Sequence, residues 1–255
     1  MLSVIVGHVL AVVIGLSLGL IGGGGAILAV PILVYVMGLN PKVAIAMSLI
    51  IVCIISIIGM IPHWQKGNIR LKVALAFIPA AAIGAYLGAT LTTLPGITDT
   101  VQLIAFGVIM AIASVIMIRR GHQVIPKSNQ PPVWQKLPQW LRIPGEGLGV
   151  GIVTGFVGVG GGFIIVPALV IVEGIPIKQA IGTSLVIIAA NSIAGFLGYV
   201  NQVTIDWQLV LSFTLAASGG TVIGAYLNRY VNAKQLQQGF GYFILAVAVF
   251  VLINQ

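Results

Sequence analysis

The chain has 255 residues, of which 59% are hydrophobic and only 6% charged, against roughly 25% charged in an ordinary soluble domain. Such a composition excludes a water-soluble fold, and apolar runs approaching the ~20 residues that cross a bilayer recur along the sequence. The net charge of +8 does not indicate nucleic acid, because the 12 Lys and Arg fall in the polar breaks between these runs, where membrane topology explains them.

The runs are apolar on every face, which predicts helices and not the alternating strands of a barrel. The first half reads as segments at 3–21, 26–38, 43–61, 73–91 and 101–118, the second as segments at 147–157, 163–172, 180–200, 207–227 and 236–253. No basic leader with a small-residue cleavage site precedes the first segment, so it is expected to be retained. Cys53 lies alone in an apolar run, which leaves no disulfide framework or cysteine metal site.

Residues 15–31, GLSLGLIGGGGAILAVP, align without a gap over 151–167, GIVTGFVGVGGGFIIVP, bringing five glycines and the proline together. The same shift pairs Gly38 with Gly174, Lys42 with Lys178, Ser48 with Ser184, Ser56 with Ser192 and Gly59 with Gly195. After Phe77 and Phe213 a gain of four residues brings IGAYL at 83–87 onto 223–227. The chain therefore divides into a first transmembrane repeat, 1–118, a basic and proline-rich cytoplasmic linker, 119–146, and a second repeat, 147–255.

Three of the four segments flanking the glycine clusters are too short to span, which predicts broken or re-entrant half-helices there. Each such pair returns the chain to its starting side, so three further spans give each half odd parity and invert the second half. Charge agrees. The inverted arrangement puts eleven of the 12 Lys and Arg on the linker side and leaves Lys42 outside; a parallel one gives eight to four. The expected architecture is an all-α, multi-pass inner (plasma) membrane protein of two inverted repeats with both termini periplasmic.

Inverted repeats with discontinuous helices belong to transporters that hold substrate near the midplane. Gly22, Gly23, Gly24 and Gly25, and Gly158, Gly160, Gly161 and Gly162 in the other half, free the backbone so that N–H groups can approach a ligand. Helices beginning after the clusters, or at Pro31 and Pro167, would aim positive ends inward and suit an anion. Gly15, Gly19, Gly155 and the GAY pairs are read instead as close-packing positions. Asp99, Glu146, Glu173 and Asp206, the only acids, all fall at segment ends or loops, so no deep carboxylate is available for a cation. Ser48 and Ser184 are the first side-chain candidates, with Thr183, Asn191, Ser56 and Ser192 on the same two segments; the competing role for each hydroxyl is a bond to its own helix. His8 is expected at an interface, as are His63, in a Pro62-His63-Trp64 turn, and Trp207. No catalytic residue, cofactor or metal site is expected, and an enzyme ranks well below a carrier.

The doubled glycine motif, the Lys-x-Ala-Ile-x-x-Ser-Leu stretches at 42–49 and 178–185, and the IGAYL pair together resemble the TauE/SafE sulfite exporter family, also called the toluene sulfonate uptake family. The resemblance covers nearly the whole chain. It implies a secondary carrier of sulfite, sulfoacetate or other organosulfonates, often in the export direction, with a small anion and the lipid bilayer as partners and a proton as a candidate coupling ion. The alternative is an anion channel of the same architecture, without saturation or counterflow. Oligomeric state is left open.

Overall fold

A backbone in hydrocarbon must satisfy its own N–H and C=O groups, and long runs of Leu, Ile, Val and Ala do so as helices. The computed structural model describes residues 2–253 except 24, 95, 123–137, 159, 172 and 229. Gly24, Arg229 and most of the predicted linker therefore lie outside the described residues. Ten α-helices are described: α1 (Leu2–Ile21), α2 (Ala26–Pro31), α3 (Pro41–Gln65), α4 (Leu71–Leu91), α5 (Asp99–His122), α6 (Gln139–Val157), α7 (Gly162–Ile171), α8 (Ile177–Tyr199), α9 (Trp207–Leu227) and α10 (Ala233–Ile253). A π-helical turn, Ile32–Val36, extends α2. No strand occurs among the described residues.

Local chemistry sets several boundaries. Asn40 caps α3, its side chain accepting from the Lys42 N–H at 3.0 Å, with Pro41 in the first helical position. Asp206 caps α9 through the Leu209 N–H at 3.0 Å. Helix α1 from Val4, together with α3, α4, α8 and α9, makes five helices long and apolar enough to cross a membrane. Shorter apolar stretches are Ala26–Val36, Asp99–Ile112 and Gly241–Ile253. The outward faces of α1, α4 and α9 carry Val9, Leu75, Leu211, Leu215 and Ile223, all exposed, as lipid contact requires.

Helix α6 begins at Gln139, eight residues before the predicted segment, and has 19 residues. The Pro-Gly-Glu-Gly stretch at 144–147 reads as a loop, yet it is helical. There Arg142 lies 3.9 Å from Glu146 one turn on and 2.9 Å from Glu173 beyond α7. Of the predicted short segments, only those after the glycine clusters are short helices. The Arg142–Glu173 pair also shows that α6 and α7 form a hairpin returning to its starting end. In the first half a methyl at Gly7 would lie 2.5 Å from Met37 Sδ, closing the same hairpin between α1 and the π turn. Pro31 and Pro167 lie inside α2 and α7, so neither helix starts at its proline.

The packing follows one pattern. Helix α1 lies on α9 and α4 on α6, α3 crosses α8, α3 contacts α9 as α8 contacts α4, and α5 packs on α10. Exchanging the first five helices for the last five maps this set onto itself. The α1–α9 and α4–α6 pairs are parallel and glycine-mediated: methyls at Gly15 and Gly19 would meet the carbonyls of Ala217 and Thr221, and methyls at Gly151 and Gly155 those of Ala81 and Ala85. Close backbone approach is the use expected of such small residues. Helices α4 and α9 keep the shift that relates Gly15 to Gly151. Both have 21 residues, Gly84 and Gly220 meet the equivalent residues Leu148 and Val12, and Gly88 and Gly224 meet Ile152 and Leu16. The four-residue gain inferred from the IGAYL pair is thus absent from the packing. The two copies of that string sit one helical turn apart, and a four-residue slide keeps the same face.

In the central crossing, a methyl at Gly195 would lie 3.5 Å from Leu49, and one at Gly59 3.6 Å from Leu185. Early residues of each helix meet late residues of the other, so α3 and α8 are antiparallel.

Candidate functional site

The hairpin tips are built by glycines that end one helix and start the next. Gly22 and Gly158, equivalent in the two halves, have φ of 79° and 74° and close α1 and α6 with bonds from their N–H groups to Leu18 O at 2.7 Å and Thr154 O at 2.8 Å. Only glycine takes that left-handed conformation at little cost. Each cap sits against the opposite half: a methyl at Gly22 would strike Ile181, and one at Gly158 would strike Ile45, the equivalent isoleucine. The tips also touch each other. A methyl at Gly23 would lie 2.2 Å from the Gly162 Cα, so the two broken regions meet backbone to backbone beside the α3–α8 crossing. Gly160 and Gly161 turn the chain into α7, whose first turn forms as Ile165 N–H donates to the Gly161 carbonyl at 2.9 Å.

The predicted side chains divide. Ser48 donates to Ile45 O at 2.8 Å within its own helix and reaches Gly158 O at 3.0 Å, fastening α3 to the opposite break. Ser184 bonds its own helix at Ile181 O, 2.8 Å. Thr183 accepts from the Arg70 N–H at 2.9 Å and so holds the loop before α4 instead of a tip. Gly25 packs on α1, where a methyl would lie 2.1 Å from Ile14 O. Asn191, Ser56 and Ser192 are fully buried in the crossing helices.

Sequence reasoning missed the polar ties beneath the second tip. The Tyr199 hydroxyl lies 3.2 Å from the carbonyls of Gly155 and Phe156, and Gln102 Nε2 donates to Tyr199 Oη and to Phe156 O, each at 2.7 Å. His63, its repeat equivalent, is likewise buried against the protein, two residues from the end of α3, whereas Trp64 and Trp207 are exposed. The available signal was the repeat shift itself, which places an aromatic ring at both positions.

Among the described residues no three His, Cys, Asp or Glu side chains gather as a metal site would need. Asp99 sits at the start of α5, Asp206 just before α9, and Glu146 and Glu173 at the open end of the second hairpin. Outside the apolar part of α6, burial and then the Glu173 charge raise the Glu146 carboxyl to about 7, against the opposing pull of Arg142.

A family model described as "Sulfite exporter TauE/SafE" matches residues 8–251. A protein of Xylella fastidiosa (strain Temecula1) named "Probable membrane transporter protein" is 32% identical over 242 residues, covering 94% of this chain and 91% of its own. YdhB of Bacillus subtilis, of the same description, is 28% identical over 221 residues, 86% of each chain. MJ0441 of Methanocaldococcus jannaschii is 25% identical over 248 residues, 89% of each. No solved structure matches. With the family pattern running through both repeats and across the hairpin tips, the chain belongs to the TauE/SafE sulfite exporter family of membrane transporters.

Proposed function

We propose that this transporter moves small sulfur-containing anions, sulfite or organosulfonates such as sulfoacetate, outward by alternating access between two inverted halves. The observation that carries the reading is the meeting of the two glycine breaks, Gly23 against Gly162, with Ser48 bonded to the Gly158 carbonyl and Ser192 beside Gly160. Glycine backbone and neutral side-chain donors favour an anion, whereas a cation site in a membrane protein uses buried acids. Substrate is proposed to engage Gly22, Gly23, Gly24 and Gly25 from one tip and Gly158, Gly160, Gly161 and Gly162 from the other, with Asn191 beside them. Ser48 acts through the Gly158 carbonyl it holds, and Ser184 and Thr183 flank the path.

Inversion is supported by the antiparallel run of α3 and α8 and by the exchange symmetry of the helix pairs. This reading puts both termini in the periplasm and the linker in the cytoplasm. It is supported by Lys66, Arg70, Lys72 and Lys178, which fall on the loop and first turn of α4 and at the start of α8, regions that Arg70 ties together. Alternating access is supported by a difference between equivalent ends. At the linker end Arg70 is tied to α8 through Thr183 at 2.9 Å and Gln179 at 2.8 Å. At the other end the equivalents of Gln179 and Thr183 are the apolar Val43 and Met47, which cannot make such ties. There Asn40, Lys42, Val43 and residues 201–204 line a cavity of about 500 Å3.

The test is counterflow in proteoliposomes. Vesicles preloaded with unlabelled sulfite should accumulate labelled sulfite transiently, with saturable rates. Flux without saturation or counterflow would make the protein a channel, and no sulfite-dependent flux of either kind would reject the anion assignment.

A further inference from the structure

Near the middle of the antiparallel crossing, four side-chain polar atoms are buried without a hydrogen-bond partner: Ser56 Oγ, Ser192 Oγ, and both Nδ2 and Oδ1 of Asn191. Each such atom costs on the order of 1–3 kcal/mol when left unpaired, so four on the middle turns of the two crossing helices require an explanation. Ser192 lies against the glycine tip. A methyl at Gly160 would lie 2.6 Å from Ser192 Oγ, 3.1 Å from Val52 and 3.3 Å from Ile188. Val52 and Ile188 are one turn from Ser56 and Ser192 on their respective helices.

We infer that Ser56, Ser192 and Asn191 form a neutral donor collar that pairs with a singly charged oxyanion, such as hydrogensulfite or a monosulfonate, and discriminates against dianions. This rests on the anion reading above and narrows it to monoanions, which removes sulfoacetate, a dianion near neutral pH, from the candidate substrates. The charge limit follows from what surrounds the collar. Along α3 the flanking cations are Lys42 and Lys66, about 21 and 15 Å from Ser56 at 1.5 Å per residue. Along α8 Lys178 lies about 20 Å from Asn191, and Val52, Ile55, Ile187 and Ile188 beside the collar on the two helices are fully buried. Neutral dipoles can replace the hydration of one negative charge, but desolvation cost grows with the square of charge, about fourfold for a dianion. Sulfate and a doubly ionised sulfoacetate are therefore disfavoured. The collar is also lopsided. The two serines are repeat equivalents, but Asn191 corresponds to Ile55, so the ligand is held with its oxygens toward α8 and any organic substituent toward α3.

A ligand-binding role and a structural one predict opposite signs for the same substitution. Removing an unpaired buried polar group relieves a cost in the empty protein while deleting a ligand contact. Purified protein is followed by thermal unfolding and by binding of methanesulfonate, hydrogensulfite and sulfate, in wild type, Asn191→Leu, Ser56→Ala and Ser192→Ala. The expected result is monoanion binding by wild type with sulfate at least tenfold weaker, unchanged or raised unfolding temperatures for the empty variants, and monoanion Kd increased about tenfold or more. Lower unfolding temperatures with wild-type Kd in the serine variants would show a structural role and overturn the collar. Equal binding of sulfate and methanesulfonate by wild type would overturn the charge limit alone. Wild type that binds none of the three anions would reject the underlying anion reading and the collar with it.

Discussion

Replacing Gly155 by alanine puts a methyl group 2.0 Å from the Ala85 carbonyl oxygen of α4, whereas ordinary contacts begin at 3.4 Å. All three obstructing atoms, the Ala85 O, C and Cα, belong to helix backbone, so no side chain can swing away, and α6 must move about 1.4 Å from α4. Overpacking of this kind costs about 1–3 kcal/mol, and the comb of neighbouring glycine contacts between α4 and α6, at Gly84, Gly88 and Gly151, loosens with it. For a chain of this length the loss corresponds to an unfolding temperature lower by on the order of 2–12 °C. Gly149→Ala on the same helix is the control: nothing lies within 4 Å of the added methyl, and alanine favours helix by about 0.5–1 kcal/mol over glycine. Gly19→Ala, which meets Thr221 O at 2.1 Å, is the repeat equivalent and should lose a similar amount. Unfolding in detergent, followed by tryptophan emission, measures all three. If Gly155→Ala unfolds at or above the temperature of Gly149→Ala, the comb does not hold these helices at the distance described.

Gly38 and Gly174 both have positive φ, 71° and 64°, with open space around the missing methyl, so alanine at either should cost a similar ~1–2 kcal/mol of backbone strain. A difference of several kcal/mol between the two, measured by thermal unfolding, would contradict their equivalence. The folded chain keeps the Glu146 proton up to about 7, while an unfolded carboxyl releases it near 4.5. Stability should therefore fall as pH rises between about 5 and 7, and Glu146→Gln should flatten that part of the decline; an unaltered slope in melts taken across this range would refute the assignment. In a Cys53→Ala background, Ala180→Cys is a buried position next to Gln179 in α8, and adding Arg70→Ala should speed its reaction with a thiol reagent. Equal rates with and without Arg70 would show that the tie does not seal this end.

What could be read directly from the residues was whatever repeats with a fixed shift. The glycine breaks, the packing glycines at 15, 19 and 155, and the correspondence of Ser48 with Ser184 all depend on that period, and local backbone chemistry then dictates the caps at Gly22 and Gly158. The start of α6 was hidden because Pro144, Gly145 and Gly147 weaken helix locally, while the Arg142–Glu173 pair that accompanies the helix there joins residues 31 positions apart. The role of Ser48 was hidden for the same reason, since its second acceptor is 110 residues away. IGAYL misled in a different manner. A matching string caught the eye where the glycine spacing, Gly84 and Gly88 against Gly220 and Gly224, held the true register.

The parallel glycine pairs also bear on how the molecule is made. Helix α1 finds its close partner in α9, some 200 residues further along the chain, which at 5–20 residues per second emerges from the ribosome roughly 10–40 s later. Throughout that interval the Gly15–Gly19 surface has no helix to close on. Each hairpin rides on a helix of the other repeat, so neither repeat is a finished folding unit, and the first must wait in the membrane, shielded by lipid or by insertion machinery, until the second completes it.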